Sequence, residues 1–114
     1  MYDIVVMGSI NMDVIVNCHE FPKSGDNTFC KSIQMTAGGK GNNQAVSAAR
    51  YGKNVCFIGC IGDDDAGRQL RQNLKKRRID DSYMIVKEGA KTGSCVGLVE
   101  PTGDNTLLVN LGAN

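Results

Sequence analysis

Eight consecutive residues, Gly38-Gly39-Lys40-Gly41-Asn42-Asn43-Gln44-Ala45, hold the densest polar chemistry in the sequence. Glycines let a backbone approach a ligand closely, and the first amides of the helix they open are free to donate hydrogen bonds. Lys40, Asn42, Asn43 and Gln44 add donors and acceptors in the same place. That inventory suits a small polar ligand, either a sugar or a phosphate. The phosphate reading follows from the affinity of helix N-termini for anions. Yet the P-loop pattern G-x-x-x-x-G-K-[ST] is absent, because Lys40-Gly41 runs into asparagines instead of a hydroxyl. The dinucleotide pattern G-x-G-x-x-G is absent too, since Gly39-x-Gly41 is followed by Asn42-Asn43-Gln44. A purely architectural use also stands: a glycine turn that lets a helix lie close on a sheet.

A second constellation is Gly8-Ser9-Ile10-Asn11-Met12-Asp13. It follows an apolar run at the place where open α/β sheets form their ligand crevice. Asp13 can accept two hydrogen bonds, as from a vicinal diol, and Asn11 can both donate and accept. Asn and Asp also serve turns, where they bond their own chain. Asp63-Asp64-Asp65 resembles a cation cluster but is more simply a helix N-cap whose charges favour the dipole. Lys75-Lys76-Arg77-Arg78 is the solvated basic last turn that the opposite end of a helix favours. Cys56 and Cys60 lie four apart on a strand-like run, about 13 Å, too far to hold one metal. The single histidine, His19, has no second ligand cluster at zinc spacing, so no metal site is expected.

Alternating elements must position these groups. Short strands are expected at Ile4 to Met7, Val14 to Asn17 and, more exposed, Asn27 to Met35. A helix from Gln44 to Tyr51 follows the glycines, with small residues on one face and Gly52 as its C-cap. A buried strand from Val55 to Ile61 and a helix from about Ala66 to Arg77 come next. Leu70 and Leu74 mark the buried stripe of that helix. Ser82 to Val86 reads as extended, and Ser94 to Val99 with Thr106 to Leu111 reads as a hairpin. Strands alternating with helices predict an α/β fold with a mostly parallel sheet, and the extra strands predict a β flap beside it.

The whole chain sets the class. Its 114 residues make one domain at most, with a formal net charge of +1 that gives no global attraction to nucleic acid or an anionic membrane. No apolar run approaches a membrane span, and the N-terminus leads directly into strand-like sequence. A cytoplasmic protein without a cleaved leader is therefore expected. The five cysteines are odd in number and read as reduced thiols. The last residues, Leu111-Gly112-Ala113-Asn114, normally introduce another element, so the expectation is a truncated domain.

Taken together, the two motifs resemble the PfkB-type carbohydrate kinases, and the Ser-Ile-Asn-x-Asp form is more similar to the ribokinase branch than to fructokinases or adenosine kinases. Phe21-Pro22 with Gly25, Gly52, Gly62-Asp63-Asp64 with Gly67, Thr92-Gly93 and Gly112-Ala113-Asn114 carry the resemblance across the chain. Asn42 departs from it, since that branch often has a smaller residue there. The resemblance implies a ribokinase-like, Rossmann-type sheet with flanking helices and a small β lid, with residues 1–114 as its N-terminal portion. The lid strands would lie at about 13–36 and 94–111. It implies ATP-dependent phosphorylation of a sugar, O5 of ribose in the nearest branch, with Mg2+ and possibly a monovalent cation such as K+. Carried over residue by residue, Asn11 and Asp13 would bind sugar hydroxyls, with Gly39, Lys40 and Asn43 completing that side. A homodimer through the lid is also implied.

The resemblance covers well under half of a family member. The Gly-Ala-Gly-Asp segment that carries the family's catalytic base does not occur in these residues, nor do the ATP pocket, its anion hole and the cation loops. The expectation is thus the sugar-binding part of a kinase without catalytic residues. The alternative is a non-catalytic sugar-binding or lid-mediated oligomerisation module, and a third reading is a phosphate- or nucleotide-binding domain.

Overall fold

The computed structural model describes all residues, Met1–Asn114, as ten elements. They are strands β1 (Ile4–Met7), β2 (Asn11–Cys18) and β3 (Cys30–Gly38), helix α1 (Lys40–Arg50), strands β4 (Val55–Ile58) and β5 (Cys60–Gly62), helix α2 (Asp65–Lys76), and strands β6 (Ile85–Lys87), β7 (Ser94–Val99) and β8 (Asn105–Asn110). The fold is α/β, with parallel pairing where strands alternate with helices. β1 pairs with β4 in parallel, β5 pairs with β6 in parallel, and a further parallel bridge joins Cys56 to Asp80. The remaining strands form one four-stranded sheet in the order β3-β2-β7-β8. β2 is its interior anchor, antiparallel to β3 and parallel to β7, and β8 closes the expected hairpin with β7.

The core lies between the parallel pairs and the helices. Phe57, Ile10, Ile61, Leu70 and Leu74 are fully buried there, so the stripe expected from Leu70 and Leu74 does face the core. At about 1.5–3 kcal/mol for each fully buried large side chain, these residues hold the helices onto the strands. Ala45 and Val46 bury the small face of α1 in the same cluster. The four-stranded sheet has much less cover. Every residue of β8 is exposed, including Leu107, Leu108 and Val109, and Ile33 and Met35 of β3 are exposed as well.

Several boundaries differ from expectation. α1 begins at Lys40, four residues earlier than the Gln44 start, so the glycine motif forms the first turn of the helix instead of a turn before it. β2 begins at Asn11, which makes Asn11 and Asp13 strand residues, and β3 is shifted to Cys30–Gly38. The run Val55 to Ile61 is two strands, broken at Gly59, where Ile85 donates its N–H to the Gly59 carbonyl at 2.9 Å. Extended structure near Ser82 to Val86 starts only at Ile85, because the Met84 N–H turns back to the Asp81 carbonyl at 3.1 Å.

Asp64 caps α2 as the acidic run predicts: its carboxylate accepts the Gly67 N–H at 2.9 Å. Asp63 and Asp65 pair with Arg68, leaving the basic residues Lys75 to Arg78 in solvent at the other end. Asp64 does more than cap. It also accepts from the Thr92 N–H at 2.9 Å and the Thr92 hydroxyl at 2.5 Å, and Thr92 Oγ1 accepts the Gly62 N–H at 3.0 Å. The end of β5, the start of α2 and the approach to β7 are thereby tied at one carboxylate. Burial opposes ionisation of Asp64, but the Thr92 and Gly67 hydrogen bonds outweigh it and hold the carboxyl below its usual range. A pKa lower in the folded state gives stability that is present above the unfolded value, about 3.9, and lost as pH falls through the folded one. Asp64→Ala is expected to cost roughly 1–2 kcal/mol at neutral pH, the range of a lost N-cap. In denaturant titrations the gap from the wild type should narrow as pH drops below about 4.

Candidate functional site

The site is built where the turn after β1 meets the first turn of α1. Gly39 has φ 93°, and a Cβ there would lie 2.8 Å from the Ser9 carbonyl oxygen and 2.9 Å from Ile10 Cα. Two residues on, a Cβ on Gly41 would lie 2.8 Å from Gly8 Cα, so the two backbones touch directly. The Asn42 N–H then donates to the Ser9 carbonyl at 3.0 Å, and no side chain caps the helix. The expectation that the first helical amides stay free for a ligand holds for Lys40 and Gly41, whose N–H groups have no protein acceptor, but not for Asn42. At the third helical position the amide is spent on the protein, where a phosphate cradle would need it.

β2 carries Asn11 and Asp13 away from this junction, two residues apart and so on one face of the strand. Asn11 pairs with Gly38 of β3, and the Asp13 carboxylate leans over that glycine, where a Cβ would overlap it. Asp13 is half-buried, and its Oδ1 is fully buried with no hydrogen-bond partner. It does not bond its own chain, so the turn-chemistry alternative is not what the strand uses. Desolvation pushes its carboxyl above the ordinary range. In the parallel register Asp13 stands opposite Cys95 of β7, whose buried thiol is pushed up by desolvation and then by the Asp13 charge. An acceptor oxygen kept dry and unpaired is a group prepared for a donor that the polypeptide does not supply.

Asn11, Asp13 and Gly39 are thus brought together around Gly38 and the Ser9–Ile10 backbone. Lys40 and Asn43 lie on the first turn of α1, both exposed, and Asn43 has only a long 3.5 Å contact from Asn42. Asn42 itself is 2% exposed with its Oδ1 unpartnered, an unusual burial for the residue that departs from the family pattern. Sequence reasoning gave no individual role to Gly93 or Asn114. Gly93 accepts the Met12 N–H at its carbonyl (2.9 Å), and Asn114 bonds the Asn11 side chain at 2.7 Å. The only signal for them was their place in the Thr92-Gly93 and Gly112-Ala113-Asn114 motifs.

With this geometry in place, the sequence profile of the pfkB family carbohydrate kinases matches residues 1–114. The chain belongs to that family. It is similar to the ribokinase of Bacillus subtilis, 40% identical over 114 residues, which cover 100% of this chain and 39% of that protein. Mouse ribokinase is 32% identical over 111 residues, 97% of this chain and 34% of that one. Among solved pfkB-type structures, the ribokinase from Thermotoga maritima superposes with a TM-score of 0.87 at 34% identity, over 99% of this chain and 37% of that chain. A ribokinase from Arabidopsis thaliana complexed with ribose and ATP superposes with a TM-score of 0.85 at 32% identity, over 96% and 36% respectively. The chain therefore spans under two fifths of the length of these relatives.

The unpaired Asp13 carboxyl makes a pH prediction. Its pKa is raised in the folded state, so stability falls as pH climbs from the unfolded value, about 3.9, through the folded one, and the penalty then persists to neutral pH. Asp13→Asn removes that charge. It is expected to raise the melting temperature at pH 7, with the gain vanishing below about pH 4. Thermal melts across that range check both the sign and the window.

Proposed function

We propose that this chain forms the sugar-binding side of an ATP-dependent carbohydrate kinase, with ribose as the sugar and O5 as the phosphorylated position. The observation that carries the reading is the dry, unpartnered Asp13 oxygen beside Asn11, above a floor of glycine backbone. A carboxylate and a carboxamide on one strand face match adjacent hydroxyls, and glycines leave room for a sugar ring against the backbone. Gly39, Lys40 and Asn43 complete that side. The likeness to a ribokinase complexed with ribose and ATP supports the choice of sugar and of ATP as phosphoryl donor.

In this reading the four-stranded sheet, residues 11–38 and 94–110, is the lid over the sugar, excluding water from phosphoryl transfer. No residue of this sequence is assigned to Mg2+ or to a monovalent cation. No three carboxylate, histidine or cysteine groups converge, and the Asp63 to Asp65 run is spent on the α2 cap, Thr92 and Arg68. No step is derived through either ion. The catalytic base and ATP contacts are likewise not assigned to any residue of this sequence, and Asp13 serves binding. No nucleic-acid or membrane role is proposed, and no helix is long and apolar enough to cross a membrane. A cytoplasmic setting accords with five free thiols.

Isothermal titration of the chain with ribose should give weak saturable binding, lowered about tenfold or more in Asp13→Ala through loss of a charged hydrogen-bond acceptor. The absence of any ribose heat would overturn the sugar assignment. Sugar-dependent ATP turnover by the pure 114-residue chain would overturn its restriction to the binding side.

The second reading, a lid-mediated oligomerisation module, is favoured by one feature: β8 is an open sheet edge with Leu107, Leu108 and Val109 exposed. Such an edge pairs with another copy, which in a sugar kinase would make the homodimer. Sedimentation velocity should show concentration-dependent self-association that Leu108→Lys weakens. A sharp monomer at all concentrations would count against it.

A further inference from the structure

The Gly112-Ala113-Asn114 motif has no role in the sugar reading so far, yet its asparagine reaches the centre of the site. Asn114 Oδ1 accepts the Ile10 N–H at 2.9 Å. Its Nδ2 donates to the Leu111 carbonyl at 2.9 Å and to Asn11 Oδ1 at 2.7 Å. The orientation of this carboxamide is not a free choice. A backbone N–H can only donate and a backbone carbonyl can only accept, so Ile10 and Leu111 together fix which end of Asn114 is oxygen and which is nitrogen. The atom of Asn11 that meets Asn114 Nδ2 must then be its oxygen. Gly93 makes the approach possible, because a Cβ there would lie 2.1 Å from Asn114 Nδ2 and 2.5 Å from Asn11 Oδ1.

From this chain of obligatory donors and acceptors we infer that Asn114 is a positioning residue that holds Asn11 as a hydrogen-bond donor toward the sugar. This rests on the sugar-binding reading of the site and adds its polarity. Asn11 read in isolation can donate or accept; with its oxygen turned to Asn114, Nδ2 is the end left for the ligand. Asp13, on the same strand face, is an acceptor with its Oδ1 unpaired. A sugar hydroxyl has one proton to give and lone pairs to receive with. One hydroxyl can therefore give its proton to Asp13 while it or its neighbour receives from Asn11. Were Asn11 reversed, two acceptors would compete for the same hydroxyl protons. The ligand class is a vicinal diol recognised by a matched donor and acceptor.

The test uses the 15N-labelled 114-residue chain, side-chain amide spectra and ribose titration. In the wild type both Asn114 carboxamide protons should be slow to exchange and those of Asn11 fast, and ribose should shift the Asn11 pair. Asn114→Asp is nearly isosteric and still accepts from Ile10, but it has nothing to donate. Asn11 should then turn, its amide protons should become protected, and ribose affinity should fall about tenfold, the loss of one net hydrogen bond. Asn11→Asp keeps an acceptor against Asn114 and replaces the outward donor with a charged acceptor beside Asp13. It should leave the Asn114 protons protected while ribose affinity drops by a similar factor. An Asn11 amide unchanged in Asn114→Asp, or wild-type ribose affinity in Asn11→Asp, overturns the inference. If the wild type does not respond to ribose while its Asn114 and Asn11 amides behave as described, the sugar reading fails and the fixed polarity of Asn11 stands.

Discussion

Backbone packed on backbone is the constraint from which the rest of the site follows. Gly8 and Gly41 touch without intervening side chains, and Gly39 lies as close to Ser9 and Ile10. That contact sets α1 directly against the turn after β1 and spends the third helical amide on Ser9. It also fixes where β2 departs, and hence where Asn11 and Asp13 emerge. Side chains at the junction would push the helix away from the strand by the thickness of a methyl group or more. The ligand-facing floor would then be built from flexible groups instead of fixed backbone.

Around that junction the site is held by single polar residues that each join distant segments. Asp64 ties α2, β5 and the lead into β7, while Asn114 ties the end of the chain to the turn before β2. Both are fully engaged, with every bond running to a backbone group or a fixed partner. Asp13 is the opposite case, a buried oxygen left without a partner. The contrast separates residues that hold the structure from one that waits for something outside it. An unsatisfied buried acceptor costs stability, and such costs persist where function needs them.

Much of this was legible in the sequence where local chemistry and tertiary structure agree. Asp63 to Asp65 announced the start of α2, Leu70 and Leu74 announced its buried face, and the extended runs Ser94 to Val99 and Thr106 to Leu111 announced the β7–β8 hairpin. The start of α1 was not legible, because Gly41, Asn42 and Asn43 are poor helix formers and only the contact with Gly8 and Ser9 makes them helical. Asn11 and Asp13 resemble turn residues for the same reason. They become strand because β3 and β7 pair with β2 on both sides, and long-range pairing overrides local preference. The choice of sugar over phosphate could be argued from the missing P-loop hydroxyl. The polarity of Asn11 could not, since it depends on a partner 103 residues away.

The position of β2 also dictates an order of events during synthesis. Its antiparallel partner β3 is made almost at once, but its parallel partner β7 pairs Met12 with Ser94, and the Asn11 amide is fixed only when Asn114 arrives. At about 5–20 residues per second, the β2–β3 hairpin would carry an open inner edge for several seconds on the ribosome. Val14, Ile15 and Val16 lie along that edge. A nascent chain of this design is most exposed to mispairing before β7 emerges, and the residues of the glycine junction are made well before Ser94 and Asn114.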